Sequence, residues 1–238
     1  MNRKVYLVLI WSITFCVIIF SSVKCLAKTN SSFYDLKENF PMNFDDAWNN
    51  KSLDEQTKLP EFSKIVLNAN VMSVKIQEGE ARTIECRFSR PELKPVYKVE
   101  NDVLIVKQKV SKSFFLRSQK CDLTVTVPKN TFITQAEIKV NVGEIKITDV
   151  EIQNLITHLN IGEIQISDVQ FDILKAKLNI GDFYVDNLDN IDDFNADLKV
   201  NVGEIKFKNN NCGRIFNKNI ISDKEINVLL NIGEIILN

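Results

Sequence analysis

This chain has no excess of positive charge, and it has only one histidine. Its 30 Lys and Arg are balanced by 31 Asp and Glu, and no basic block is longer than a few residues. Because proteins that bind nucleic acid neutralise phosphates with clustered Lys and Arg, we expect no nucleic-acid partner. The one histidine, His158, cannot form a two-histidine metal site, nor a hydrolytic triad without a nearby nucleophile. We therefore expect no enzyme activity, no metal and no cofactor.

A long apolar run occurs only at the N-terminus. Arg3 and Lys4 precede the run Val5–Phe20, which has the plan of a signal peptide and is shorter than the roughly 20 residues that span a bilayer. Three fates stay open: cleavage after Ala27, retention of residues 1–27 as a membrane anchor, and lipid attachment at Cys25. Each predicts an extracytoplasmic protein, in the periplasm, on the cell surface or secreted, that touches a membrane only through this segment.

Helical periodicity is absent from the rest of the chain. Residues 28–62 are rich in Asn, Asp, Lys and Ser, with no sustained apolar period, and this composition predicts a polar linker. From residue 63 onward, apolar and polar residues alternate and β-branched types dominate, so we predict an all-β domain over residues 63–238. The first candidate strands are Ile65–Ile76, Thr83–Phe88, Val103–Val110 and Asp122–Val127.

Glycine is scarce, yet five of the 7 glycines recur in one phrase, NVGEIKI and its variants. The spacings between these glycines are 19, 19, 22 and 30 residues, which is typical of a β-solenoid, a β-helix-like stack of short rungs. The five glycines are Gly143, Gly162, Gly181, Gly203 and Gly233.

The spacing of apolar residues changes at each glycine. Val140 and Val142 share one face of a strand, but the next apolar residues, Ile145 and Ile147, resume after a step of three. A slip of one residue at the same place in every copy predicts a structural corner, where glycine takes positive φ. Val142 and Ile145 should then flank the bend from the core side. Turns should follow at Asp149, Asp168, Asp186 and Asn209.

An earlier segment, NVMSVKI from Asn70, has the same pattern with Met72 in place of glycine. We interpret it as a degenerate first copy. Together with the strand DLTVTVPKN, from Asp122, and the five Gly-acid repeats, it resembles the bacterial toast-rack, or "putative adhesin", β-strand-repeat domains of unknown function. The resemblance covers about residues 64–238. It implies short stacked rungs, an extracytoplasmic location and an adhesive or envelope-associated role, and it implies no catalytic residues.

Equivalent residues of stacked rungs should form columns about 4.8 Å apart. One outward column is amide and would form a ladder of hydrogen bonds; a second is acidic; a third consists of Lys139, His158, Lys177 and Lys199. We consider the first two as candidate binding faces for an unknown protein or glycan, with a solvated surface as the alternative. The amide column is Asn141, Asn160, Asn179, Asn201 and Asn231, and the acidic column is Glu144, Glu163, Asp182, Glu204 and Glu234.

Two further features bear on assembly. Cys86 and Cys121 both fall on inward strand positions, so they either form a disulfide or act as two small buried hydrophobes. No capping sequence follows the last copy, so its strand, residues 231–238, should leave an open edge that allows self-association or pairing with another envelope protein.

These features predict a non-enzymatic, exported binding module of the cell envelope or surface, with an adhesin as the expected role. The alternative is a membrane-anchored envelope sensor or regulator that acts through a protein partner. Cleavage after Ala27 favours the first, and an intact Met1 favours the second.

Overall fold

A computed structural model describes residues 53–108 and 120–238. The predictions for the signal segment, residues 1–27, and for the linker up to residue 52 lie outside the described residues. Thirteen strands form one sheet. Their bounds are β1 Leu53–Lys58, β2 Lys64–Gly79, β3 Thr83–Phe88, β4 Val96–Glu100, β5 Val103–Lys107, β6 Cys121–Pro128, β7 Phe132–Thr148, β8 Glu151–Ser167, β9 Ile173–Asp186, β10 Asn195–Phe207, β11 Asn210–Gly213, β12 Ile215–Lys218 and β13 Glu225–Leu237. Two single-turn 3₁₀ helices lie at Pro91–Leu93 and Ile191–Asp193.

Six long parallel strands form the centre of the sheet, and we call them the central stack. Their spatial order is β2, β7, β8, β9, β13, β10. The repeats pair in register, since Gly143 lies beside Gly162, Gly162 beside Gly181, and Gly203 beside Gly233. Met72 of β2 pairs with Gly143, so NVMSVKI is the first member of the stack. The all-β fold of short stacked rungs with glycine corners is confirmed.

The predicted open edge at the end of the chain is wrong. β13 pairs in parallel with β9 on one side and with β10 on the other. The final copy is therefore an interior strand, inserted between the third and fourth glycine copies. Every copy carries the same pattern of inward and outward residues, so the pattern fits any order of the strands and does not reveal which one is outermost.

Shorter strands pair with both outer strands of the central stack, β2 at one end and β10 at the other. Strand β2 pairs with β5 over Lys64–Asn68 and with β6 over Ser73–Gly79. Strand β4 then pairs with β5, and β3 pairs with β6, both antiparallel. At the other end, β12 and β11 pair with separate halves of β10. The outer strand β1 has the sequence LDEQTK, and charged residues on an edge strand discourage pairing with another chain.

The domain begins earlier than residue 63. Strand β1 pairs with β3 over six positions, and the ring of Phe62 is buried against the core, 3% exposed. Residues 53–58 thus belong to the sheet and Phe62 to the core, where a linker was predicted. Their sequence has little apolar alternation because β1 is an edge strand with largely exposed side chains, so the hydrophobic pattern carried no strand signal.

The inward residues of the stack form one continuous core. In β7, for example, Ile138, Val140, Ile145 and Ile147 are all buried. After four of the long strands, β7 to β10, a residue with positive φ turns the chain: Asp149, Asp168 and Asn209 do so as predicted. In the third copy Asn187 takes this conformation, and Asp186 is the last residue of β9.

Cys86 and Cys121 are buried free thiols. Because Cys86 pairs with Leu123 and Cys121 with Phe88, the two cysteines are diagonal neighbours on β3 and β6. Such neighbours lie about 7–8 Å apart, beyond the usual Cα distance of a disulfide. The disulfide is not formed, and the thiols act as small hydrophobes. Burial raises the pKa of each thiol to about 12, so both stay protonated at neutral pH.

In the two described ranges, no helix is long and apolar enough to cross a membrane.

Candidate binding surface at the glycine corners

The glycine corner is a place where two strands approach too closely for a side chain. Gly162 has φ +140°, and a β-carbon on it would lie 1.7 Å from the carbonyl oxygen of Gly143. Gly143, Gly181, Gly203 and Gly233 have φ between +135° and +150°, and a β-carbon on any of them would lie within 2.0 Å of a carbonyl oxygen on the adjacent strand. The sequence needs glycine here for both conformation and space.

Met72 is tolerated because it starts the row. A β-carbon on Gly143 would point at the Met72 carbonyl, but no strand of the described residues pairs with Ala69–Met72 on the other side of β2. Its own φ is not positive. The Met72 side chain is instead buried, 1% exposed.

Gln108 closes the gap that β5 and β6 leave beside the corner of β2. Its side chain is 5% exposed. The Oε1 atom accepts hydrogen bonds from the backbone N–H groups of Asn70 and Val71, at 3.2 and 3.0 Å. The Nε2 atom donates to the carbonyl of Leu93, at 2.8 Å. One side chain thus replaces the backbone of the missing neighbour and satisfies two N–H groups that would otherwise be unpaired.

Four consecutive residues point away from the core at each corner, and one of them is apolar. Val142 is 40% exposed, although its spacing from Val140 predicted a position on the core side. The prediction is wrong because the chain starts to bend at Asn141, two residues before the glycine, where the register of paired strands skips a position. Its equivalents are exposed by 47–58%, and together they form what we call the apolar row: Val142, Ile161, Ile180, Ile232 and Val202.

The asparagines form a continuous amide ladder on the outer surface. The Asn160 side chain donates through Nδ2 to Oδ1 of Asn141 at 3.1 Å, and the Asn231 side chain donates to Asn179 at 2.7 Å. Asn70 extends the ladder at the β2 end, where it accepts from Asn141. The full order in space is Asn70, Asn141, Asn160, Asn179, Asn231 and Asn201, with every Nδ2 donating toward the β2 end.

The acidic column lies on the other side of the corner, in the spatial order Glu144, Glu163, Asp182, Glu234, Glu204. The pKa values of its carboxylates shift in different directions along the column. Partial burial, and then the carboxylates of Glu144 and Asp182, raise the pKa of Glu163. By contrast, a hydrogen bond from Lys206 lowers the pKa of Glu204. The Lys206 ammonium lies 2.8 Å from Glu204 and 3.2 Å from Glu234.

Asp182 replaces glutamate in the third copy, and its shorter side chain makes a different contact. Its Oδ1 accepts a hydrogen bond from the backbone N–H of Glu234 at 2.9 Å. This carboxylate therefore helps to fix β13 against β9. Over the described residues, no group of three or more His, Cys, Asp or Glu side chains is placed to hold a metal ion.

A basic column runs beside the amide ladder: Lys139, His158, Lys177, Leu229 and Lys199, in spatial order. A shallow groove of about 470 Å³ follows the stack between this column and the ladder. Partial burial and the charges of Lys139 and Lys177 lower the pKa of His158. The groove is an open, polar surface that presents an amide at each rung and a lysine at two of them, Lys139 and Lys177.

The sequence located most of this surface. It identified the glycines, the asparagines, the acids and the lysines by their spacing. It did not identify the exposure of the apolar row, nor the role of Gln108. A signal for Gln108 existed, because Leu104, Val106 and Gln108 share one strand face and a glutamine at an inward position needs hydrogen-bond partners.

The bent parallel strands with in-register side-chain ladders define a β-solenoid repeat domain. The family model described as Toastrack DUF4097 matches residues 62–228, and the chain belongs to this family.

A solved structure shares the fold at low sequence identity. A crystal structure of a "putative cell adhesion protein" from Clostridium sporogenes ATCC 15579 is 18% identical, has a TM-score of 0.58, and is matched over 79% of this chain and 99% of its own. A "putative adhesin" from Bacteroides fragilis NCTC 9343 is 12% identical, has a TM-score of 0.34, and is matched over 79% and 97%. Among curated proteins, none matches the chain.

Proposed function

We propose that the protein is a non-enzymatic, exported binding module of the bacterial cell surface or envelope, with an adhesin-like role. The observation that carries this proposal is the corner surface, on which the same outward side chains recur in register across five strands of the central stack, with Asn70 of β2 extending the amide ladder. A surface of this kind offers many weak, equivalent contacts to a ligand that extends along the stack.

Rigidity supports the same function. The rows are held by backbone pairing on both sides of each interior strand and by the amide ladder itself. A ligand that binds such a surface loses little affinity to the ordering of side chains. The Clostridium sporogenes protein that shares the fold is described as a "putative cell adhesion protein", which agrees with this proposal.

The test uses the full chain. In intact bacteria that express it, protease added outside the cells should remove the domain. The purified protein, fixed to beads, should retain defined glycans or purified envelope proteins that beads carrying an unrelated β-solenoid do not retain. A domain that resists external protease in intact cells but not in lysed cells, and that retains no member of the panel, would rule the proposal out.

The mass of the mature N-terminus decides how the module is held. Cleavage after Ala27 supports a released or surface-bound module. An intact Met1 supports the alternative of an anchored regulator that acts through a protein partner.

A further inference from the structure

The groove beside the amide ladder is lined by amides and basic side chains, whereas the other side of the corner is acidic. Its lining contains the amides Asn141, Asn160 and Asn179 together with Lys139, His158 and Lys177. Lys199 continues the basic column on β10. From β7 to β10 the column crosses four strand spacings, which amount to about 19 Å. The groove thus runs along the basic column on one side.

Two lysines of the basic column make no ion pair in the described residues. Lys139 lies 2.5 Å from Glu137 in an ion pair, but Lys177 and Lys199 are exposed and make no ion pair within residues 53–108 and 120–238. Between them lies Leu229, which carries no charge. An anionic ligand would meet two unneutralised ammonium groups about 10 Å apart, since each strand adds about 4.8 Å.

The amide ladder leaves hydrogen-bonding capacity that faces the ligand. Each interior asparagine uses one Nδ2–H and one Oδ1 lone pair within the ladder. An amide has two N–H donors and two acceptor lone pairs, so one donor and one acceptor remain on each rung. A hydroxyl group both donates and accepts, and a polyhydroxylated chain therefore matches the ladder at every rung.

The third contact is apolar. The lysine, the asparagine and the exposed Val or Ile lie four, two and one residues before each glycine, so the apolar row borders the ladder on the side opposite the lysines. Sugar rings present hydroxyl edges and apolar C–H faces. Among the described residues, no Phe, Tyr or Trp lines the groove, so this part of the chain supplies no stacking platform of the kind typical of proteins that bind single-stranded nucleic acid.

We propose that this groove binds an extended acidic polysaccharide, whose anionic groups contact Lys177 and Lys199 and whose hydroxyls bond to the amide ladder. This inference rests on the proposed function, because it assigns that binding module a ligand class and a site. The polymer lies along the stack and crosses β7, β8, β9, β13 and β10.

The test compares two forms of one polymer on the full-length protein. Polygalacturonate oligosaccharides should bind in calorimetric titration, and their methyl esters, which keep the sugar chain but lose the charge, should bind at least about tenfold more weakly. The double variant Lys177→Gln/Lys199→Gln should weaken polygalacturonate binding by up to about 25-fold, since each exposed charge contributes up to about 1 kcal/mol, or fivefold. The matched control, Lys75→Gln/Lys146→Gln, removes the same charge on the far side of the corner and should bind within twofold of wild type.

His158 supplies a second readout, because the chain has a single histidine and its ring gives one set of NMR signals. Bound anions should raise its pKa, and the methyl ester should not. A phosphate-bearing polymer, glycerol teichoic acid, and a single-stranded DNA oligonucleotide serve as competing polyanions.

Each outcome of these titrations supports or overturns the inference. Equal binding of acid and ester, equal loss in both lysine variants, or tighter binding of DNA or teichoic acid overturns the inference. If the protein retains envelope proteins or neutral glycans but no acidic polysaccharide, the inference fails while the proposed function stands. If it binds none of them, both fail.

Discussion

At the scale of single residues, the glycine corner combines two separate constraints that substitution can distinguish. Gly162 needs both a positive φ and the absence of a β-carbon, because the Gly143 carbonyl occupies that position. Gly213 also has positive φ, +76°, but a β-carbon there would meet nothing within 4 Å. The chain thus contains an internal control for the cost of conformation alone.

We expect Gly162→Ala to lower the free energy of unfolding by at least about 3 kcal/mol, because conformational strain and a backbone clash act together. Gly213→Ala should cost only about 1 kcal/mol. Urea unfolding of both variants, followed by circular dichroism, measures the two values. A Gly162→Ala cost no larger than that of Gly213→Ala would show that adjacent rungs separate easily at the corner.

The residue scale also shows what periodicity can predict. Alternation placed Val140 and Ile145 in the core, and both are buried. It placed Val142 there too, and Val142 is exposed. Alternation assumes an extended backbone, so it fails where the bend begins, and the sequence shows a slip near the glycine without showing which residue absorbs it. Gln108 is the converse case, a polar residue at an inward position that hydrogen bonds explain.

At the scale of elements, each side-chain row couples neighbouring strands, and the position of a residue in its row determines its effect. The sequence predicted the amide ladder because every copy has asparagine at the same distance from glycine. It could not predict that the row begins at Asn70 and ends at Asn201, since that follows from the spatial order of the strands.

Asn160→Ala removes two ladder hydrogen bonds, and Asn201→Ala, at the end, removes one. We expect losses of about 2 and about 1 kcal/mol in the free energy of unfolding, since a typical hydrogen bond contributes about 1 kcal/mol. Parallel urea titrations give the comparison. Equal losses from both variants would show that the ladder bonds contribute little beyond the loss of each side chain.

In the acidic column, replacing a glutamate by glutamine should change the stability of the protein with a sign that depends on the position of the residue. Because the folded state raises the pKa of Glu163, folding disfavours its charged form, and stability is lost as pH rises through that folded pKa. Glu163→Gln should therefore stabilise the protein at pH 7, by about 0.5 kcal/mol for so exposed a group. The gain should vanish below the ordinary glutamate pKa of about 4.3.

The control lies in the same column. Lys206 lowers the pKa of Glu204, so its stabilising effect is present above the ordinary glutamate pKa and is lost as pH falls through the folded value. Glu204→Gln should destabilise at pH 7. Unfolding midpoints at pH 7 and pH 4 test both signs, and a destabilising Glu163→Gln at pH 7 would contradict the repulsion inferred for the column.

At the scale of the whole molecule, the order of strands in space differs from their order along the chain. β13 lies between β9 and β10, with backbone pairs on both sides. The repeat spacing predicted a stack, and the stack is there. The spatial order of the strands could not be predicted, because five nearly identical strand patterns pair with one another equally well in any order.

Hydrogen exchange tests this arrangement without a mutation. Backbone amides of β13 should exchange as slowly as those of β8, because both strands are interior, while amides of the outer strand β4 that do not bond to β5 should exchange fast. Mass spectrometry of peptic fragments resolves the three segments. Rapid exchange throughout β13 under native conditions would contradict its position inside the stack.

The interior place of β13 also sets a condition on how the molecule is built. During synthesis β10 is made before the strand that joins it to β9, so β10 cannot take its final neighbours when it first appears. The fourth glycine copy must wait, held only by β11 and β12, until β13 is available. Closure of the sheet is then a late, long-range event in folding, and a chain that crosses a membrane from its N-terminus stays unfinished until β13 has crossed as well.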